Sequence, residues 1–288
     1  MTDRLTLLLM RLLARLPLAI HALLGRLLGF LLWRANRERR KTTRTNLRLC
    51  FPELPEAERE AIARRHFAHF AESVLARALL WHAPAQRLRR LIRLEGLEHL
   101  QALQGRPVIL LAPHFGGLDM GWTRLTLERD MVTMYAKVKQ PALDAALLAG
   151  RRRFGDQVLV SRLDGLRPAI TGIRAGRPFY YLPDMDYGPR DAVFVPFCGV
   201  PCATLTALSR LAKLTGAAVL PVITRRTGDG YLTRIGPAWA DFPGADAEAD
   251  ARRMNQYIEA EIRAGDMAQY FWSHKRFKTR PPGEKGVY

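Results

Sequence analysis

Between residues 92 and 263, short runs rich in valine, isoleucine and leucine alternate with stretches of helical spacing. That alternation constrains the fold more than any other feature. The strand-like runs are LIRLE, PVILLAPHF, MVTMYA, QVLVS, PFYYLPD, VFVPF, AAVLPVITRR and YLTRIGPA. PVILLAPHF is apolar without alternation, the pattern of a strand covered on both faces. Segments such as DMGWTRLTLERD, PALDAALLAGRRRFG, LRPAITGIRAG and ATLTALSRLAKLTG read as helices, the last closed by Gly216. AEADARRMNQYIEAEIRAG reads as another, again closed by glycine. Strands joined through helices favour an α/β architecture: an αβα sandwich around a mostly parallel sheet. Ahead of it, FPELPEAEREAIARRHFAHFAESVLARALLW reads as a long helix starting near Pro55.

The first 33 residues are of another kind. LTLLLMRLLARLPLAIHALLGRLLGFLLW is too interrupted by Arg11, Arg15 and Arg26 to read simply as a span, and its longest uncharged run, Leu16–Gly25, is ten residues. A spanning helix needs ~20. No small-residue cleavage site follows; RANRERRKTTR comes instead, which disfavours a signal peptide. Arg4, Arg11, Arg15 and Arg26 are spaced by 7, 4 and 11 residues, each close to whole helical turns. This predicts one amphipathic helix, kinked by Pro17, with arginines at lipid phosphates and leucines among acyl chains. An ordinary helix packed on its own domain is the bland alternative. Lying on the bilayer and crossing it both stay open. A crossing helix would keep the basic run cytoplasmic. The domain division expected is 1–45 for this arm and 46–288 for the main domain.

Charge sharpens that reading. The chain of 288 residues carries a formal net charge of +18, and residues 1–48 hold eleven Lys/Arg against Asp3 and Glu38. Such a surface attracts anionic lipid, phosphorylated substrates, an acidic carrier protein or nucleic acid. The three cysteines, Cys50, Cys198 and Cys202, make no disulfide framework. CGVPC lacks a second ligand pair for zinc. Neither metal nor cofactor is called for.

The functional cluster lies in ILLAPHFGGLDMGW, residues 109–122. His114 ends a strand, on the rim where functional groups of α/β sheets gather. Asp119 falls in the first turn of the next helix. Its carboxylate could fix one ring nitrogen and leave the other free as a base. Gly116 and Gly117 would leave room for a substrate. No nucleophile motif of the Gly-x-Ser-x-Gly type accompanies them, which favours direct activation of an acceptor hydroxyl over an acyl-enzyme. The alternative is a strand-capping histidine and a helix-capping aspartate.

HFGGLD resembles the His-x-x-x-x-Asp/Glu motif of the lysophospholipid acyltransferase superfamily. YYLPDMDYGPRDAVFVPFCGVPCATLTALSRLA and QYFWSHKRFKTRPPG resemble blocks of the lipid A biosynthesis late acyltransferases, the lauroyl/myristoyl transferase group. The resemblance runs the length of the chain in order. It implies transfer of an acyl group from acyl carrier protein to a hydroxyl of a lipid A precursor, a phosphorylated glycolipid, at the cytoplasmic face of the inner membrane. His114 would be the general base and Asp119 its partner. Asp119 stands where many members of that group carry glutamate.

Charged residues supply further candidates. Arg151 and Arg153, within GRRRFG, match arginines of the family block and could hold a phosphate or an oxyanion. A solvated basic face is the alternative. Asp184, Asp186 and Arg190 surround a turn with Gly188 and Pro189. They suit acceptor positioning, or turn-making with a salt bridge to Arg190. FWSHKRFKTRP interleaves Phe271, Trp272 and Phe277 with cations, which suits a lipid head-group surface or a segment packed across the domain. Competing functions are acylation of a lysophospholipid, an ornithine-type lipid or a polyene acceptor, nucleic-acid binding, and metal hydrolysis. No nucleic-acid motif is present, so nucleic acid is not the expected partner.

Overall fold

Seven strands form one sheet in the order β1-β9-β8-β2-β5-β3-β4. They are β1 (Ile92–Glu95), β2 (Val108–Leu111), β3 (Val132–Tyr135), β4 (Val158–Ser161), β5 (Phe179–Tyr181), β8 (Ala218–Arg226) and β9 (Tyr231–Ile235). All neighbours are parallel except β8 and β9. The structure, a computed structural model, describes the backbone of residues 2–288 and the side chains of residues 8–288.

All four residues of β2 are buried, as its unbroken apolar run requires. Successive side chains point to opposite faces. Ile109 and Leu111 join one core with Phe179, Val219 and Ile258. Val108 and Leu110 join another with Trp122, Leu125 and Leu220. Each such side chain contributes about 1.5–3 kcal/mol on burial. The sandwich therefore has a separate core on each side of its sheet, as the alternation implied.

One helix expectation is corrected at its start. Val200–Leu205 is strand β7, paired antiparallel with β6 (Ala192–Phe197), and α10 begins only at Ala207. The reason is local. Cys198 and Gly199 both have positive φ (52° and 77°), forming a two-residue hairpin turn that suits strand twist. Gly216 ends α10 in the left-handed conformation, as expected. The helix α11 (Ala247–Arg263) instead ends through Ala264, whose φ and ψ are right-handed.

The N-terminal arm is two helices, not one kinked helix. α1 (Thr2–Leu13) and α2 (Leu18–Ala35) are separated at Pro17, which has extended backbone angles. Proline has no N–H to continue the ladder. Arg87 donates to the freed carbonyls of Ala14 and Leu16. Arg15 lies in the break, so Arg11, Arg15 and Arg26 do not share one helix face; the Arg4 side chain lies outside the described residues.

Helix α2 packs along α4 (Glu56–His82). Its buried residues Leu18, His21, Gly25, Gly29 and Trp33 recur every three or four places. A Cβ on Gly29 would stand 2.6 Å from Ala68 Cα, and one on Gly25 would stand 2.7 Å from Glu72 Cβ. Glycine is what allows the two backbones to meet. Beneath Gly25, Glu72 is held by Arg226 at 2.7 Å, tying α4 to β8. Trp33 meets Phe67 edge-on, with ring centroids 5.1 Å apart. The next helix, α3 (Arg37–Cys50), runs continuously through residues 45 and 46. The division expected there thus falls within one helix.

The opposite side of the arm is bare and largely apolar, with Arg11, Arg26 and Arg34 exposed among its leucines. Leu8, Leu9, Leu12, Leu23, Leu27, Phe30 and Leu31 are exposed. Helix α2 has mean hydropathy 1.4 over 18 residues and is long and apolar enough to cross a membrane by length and composition.

Candidate active site

Register places the site. In the parallel pair β2 and β5, Leu111 stands opposite Tyr181. Each strand then exits through one residue, a proline and a polar side chain: Ala112-Pro113-His114 and Leu182-Pro183-Asp184. Equal path lengths from paired residues bring His114 and Asp184 side by side at the carboxyl rim. His114 Nδ1 lies 2.7 Å from Asp184 Oδ1, and the His114 main-chain N–H donates to Oδ2 at 2.9 Å. The aspartate side chain is 1% exposed and the histidine 18%. Burial opposes the charge on Asp184, but the His114 ring and N–H outweigh it and bring the carboxyl down to about 2. An ionised carboxylate on Nδ1 sets the proton there, and Nε2 is left as the free nitrogen.

The carboxylate expected on that ring was Asp119. It lies in the first turn of α7 (Leu118–Leu125), but its described hydrogen bonds run to two arginines. Arg77 Nε, from α4, donates to Oδ2 at 3.0 Å. Arg151 Nη2, at the end of α8 (Pro141–Arg151), donates to Oδ1 at 2.8 Å. Burial works against this charge too, yet Arg151 and Arg77 hold the carboxyl well below its usual range. The two cations, arriving from different helices, each take one oxygen of Asp119. Asp119 and Arg151 are thus together, with Arg77 as a third member that sequence reasoning missed.

Arg153 is not available in the same way. Its guanidinium donates to Leu80 O and to Ala83 O, closing the carboxyl end of α4. Asp186 accepts from Gly188 N at 2.9 Å, Thr279 N at 2.7 Å and Thr279 Oγ1 at 2.8 Å. It makes the turn, as its alternative reading held, but Arg190 takes no part. The Arg190 side chain is 96% exposed, 4.0 Å from Asp191.

The C-terminal block forms the wall of the site instead of a head-group surface. Phe115 and Tyr270 form an antiparallel bridge, Gly116 N donates to Gln269 O at 2.7 Å, and Phe271 N donates to His114 O at 3.0 Å. The Phe271 ring stacks against His114, centroids 6.0 Å apart. Trp272 and Phe277 are fully buried, and Arg276, at 3% exposure, donates to Ala203 O, Thr204 Oγ1 and Asn255 Oδ1. His274 Nε2 accepts from Asp186 N at 2.9 Å, which requires a neutral ring. Burial pushes its pKa down to about 4. Gly117 serves packing: a Cβ there would meet Thr224 of β8 at 2.7 Å. At Gly116 the nearest atom would be Gln269 O at 3.6 Å, so that position is open.

A strand-end imidazole held through Nδ1 by an ionised aspartate, with no described bond to its outer nitrogen, has the arrangement a general base requires. The family model described as bacterial lipid A biosynthesis acyltransferase matches residues 1–279. The chain belongs to that family. The lipid A biosynthesis lauroyltransferase of Escherichia coli K12 is 34% identical over 282 residues, 96% of this chain and 91% of the relative. The myristoyltransferase of the same organism is 36% identical, covering 93% and 83%. A solved 1-acyl-sn-glycerophosphate acyltransferase from Thermotoga maritima overlays with a TM-score of 0.41 and 14% identity, over 85% of this chain and 97% of that one. Family membership makes the chain an acyltransferase, and it sets aside the nucleic-acid-binding and hydrolase readings.

Proposed function

We propose that this chain transfers a fatty acyl group from an acyl carrier protein thioester to a hydroxyl of a phosphorylated lipid A precursor, at the cytoplasmic face of the inner membrane. The observation that carries the proposal is the free Nε2 of His114, opposite the Nδ1 held by Asp184. Nε2 takes the proton of the acceptor hydroxyl as its oxygen attacks the thioester carbonyl. The tetrahedral intermediate then expels the thiolate, which recovers that proton from the imidazolium. Asp184 stays ionised throughout and stabilises the charged ring. Among the described hydrogen bonds, none joins the His114 ring to a serine, threonine or cysteine, which supports transfer without an acyl-enzyme. Arg151 spends Nη2 on Asp119 and keeps further donors for an oxyanion or a substrate phosphate. Asp119 is the group that positions it.

The acceptor side of the proposal draws on the arm. The exposed leucines of α1 and α2, with Phe30, form a run of bare apolar side chains, and contiguous exposed apolar patches mark membrane or partner contacts. Arg37, Lys41 and Arg48 of α3 are exposed beside it, suited to anionic head groups. A cavity of about 80 Å³ lies where α2, α3 and α4 meet, lined by Leu32, Arg39, Phe67 and Phe70. Phe70 stacks on Phe271 at 5.9 Å, and Phe271 stacks on His114. That aromatic path connects the arm with the base.

The deciding experiment incubates purified protein with acyl carrier thioesters of several chain lengths and a phosphorylated lipid A precursor, read by mass spectrometry. The precursor should gain the mass of one acyl chain. Acylation of a lysophospholipid offered in parallel, with none of the precursor, would sink the proposal. Membrane attachment has its own check. Because α2 is packed on α4, deleting it would expose core; replacing Leu27, Phe30 and Leu31 with serine changes only the bare face. The triple variant should remain folded and shift from the membrane pellet to the supernatant at high salt. A variant that still pellets fully would count against the apolar face as the anchor.

A further inference from the structure

The rim beyond Asp184 carries a second surface that transfer chemistry at His114 leaves unexplained. At the end of β4 the chain forms a single 3-10 turn, Arg162–Asp164, and α9 (Arg167–Arg174) follows. Leu163 on this turn is 85% exposed, the highest value of any large apolar side chain described. Arg162 places its guanidinium 4.4 Å from the ring centroid of Tyr187, which is itself 40% exposed and three residues past Asp184. The β4 exit and the β5 exit are thereby joined into one surface. Arg167, Arg190 and Arg210 are exposed around it. Arg210 is paired with Asp191 at 3.0 Å, while Arg162 and Arg167 have no ion pair among the described residues. Asp164 is the other acid on the patch.

From this we infer that the β4–β5 rim docks an acidic acyl carrier protein, with Leu163 and Tyr187 taking an apolar side chain of the carrier and Arg162 and Arg167 meeting its carboxylates. The inference rests on the thioester donor proposed above. Three observations favour a carrier here. The patch adjoins the carboxyl rim where the thioester must arrive. Two of its cations, Arg162 and Arg167, have no ion pair among the described residues, so they complement an acidic partner and would steer its approach. Leu163 and Tyr187 together give the surface an apolar centre flanked by Arg162 and Arg167, the composition of a small interface. The bare leucines of α1 and α2 form a different surface, packed through α4.

The test uses full-length protein with the variants Arg162→Glu, Arg167→Glu and Leu163→Asp. Each is assayed with an acyl carrier thioester and with the same acyl chain on free pantetheine. At low ionic strength the variants should raise KM for the carrier thioester tenfold or more, with turnover of the pantetheine thioester unchanged. The wild-type KM for the carrier should climb with salt and the charge-reversed variants should lose that dependence. Equal KM values for the carrier thioester in wild type and variants would overturn the docking surface alone. Wild-type protein inert toward every carrier thioester but active with pantetheine or coenzyme A thioesters would overturn the donor reading and the surface with it. Binding of the variants to anionic vesicles completes the set: loss of vesicle binding with an unaltered carrier KM would reassign the patch to lipid head groups and refute the inference.

Discussion

His114→Ala should lower kcat/KM for acyl transfer by roughly 10²–10⁴-fold, the range general-base groups supply. At about 1.4 kcal/mol per decade that is about 3–5 kcal/mol of barrier. The chemical reason is that Nε2 is the described nitrogen positioned, unprotonated, at the rim, and alanine leaves the acceptor hydroxyl without a base. The fold should survive. The main-chain N–H of residue 114 still donates to Asp184 Oδ2, and the bridge between Phe115 and Tyr270 uses backbone only. Oδ1 of Asp184 loses its ring partner, which costs about 1–3 kcal/mol. Far-UV circular dichroism and a thermal melt should therefore show a folded, somewhat less stable protein, while a mass-spectrometric assay shows turnover near background. Turnover within a factor of two of wild type would remove the imidazole from the mechanism.

The centre of the sheet was legible because β2 and β5 are buried on both faces, and such strands write their position as unbroken apolar runs. Where a run is short and its turn decides the outcome, the sequence was harder to read. ATL, residues 203–205 at the end of β7, was absorbed into the following helix because threonine, alanine and leucine suit either state, and the deciding signal was the two-residue Cys198-Gly199 turn ahead of the strand. The arm was misread for a related reason. Helical spacing of the arginines was followed across Pro17, although a missing N–H ends the ladder there.

The site was half legible. A histidine at the end of a buried strand announces itself locally. Its carboxylate does not, because β5 lies beside β2 in space while β3 and β4 intervene in sequence. Proximity along the chain favoured Asp119, five residues away; proximity across the sheet favoured Asp184, seventy residues away. The usable signal was the shared exit, apolar strand, one residue, proline, polar group, which parallel neighbours in register turn into contact. Arg77 had no such signal. It is one arginine on a long helix, and only the packing of α4 against α7 brings it to Asp119. The C-terminal block was read as amphipathic from its interleaved rings and cations. Burying Arg276 is tolerable because its guanidinium has three acceptors and the charges of Asp184 and Asp186 stand near it.

Asp184→Asn separates the two candidate carboxylates. In the native site both Asp184 oxygens accept, one from the ring and one from the main chain. Asparagine offers one acceptor and one donor. If its oxygen keeps the main-chain N–H, its NH₂ faces Nδ1 and can bond only the tautomer with the proton on Nε2. The base nitrogen is then blocked, and the imidazolium formed in the reaction loses its counter-charge. A comparable aspartate-to-asparagine change beside a catalytic histidine in serine proteases costs about 10⁴ in kcat. A loss of 10²–10⁴ in kcat, with KM changed far less, is the expected result here. Asp119→Asn acts elsewhere. It unbalances Arg77 and Arg151, so its loss should fall partly on KM for the phosphorylated acceptor and partly on thermal stability, and the His114 tautomer should be unaffected. Nitrogen NMR of the labelled His114 ring distinguishes them: the Nε2-protonated form should appear in Asp184→Asn and not in Asp119→Asn. The reverse pattern would mean that the Asp119 carboxylate turns from its two arginines to the imidazole when substrate binds, and would give the orienting role back to Asp119.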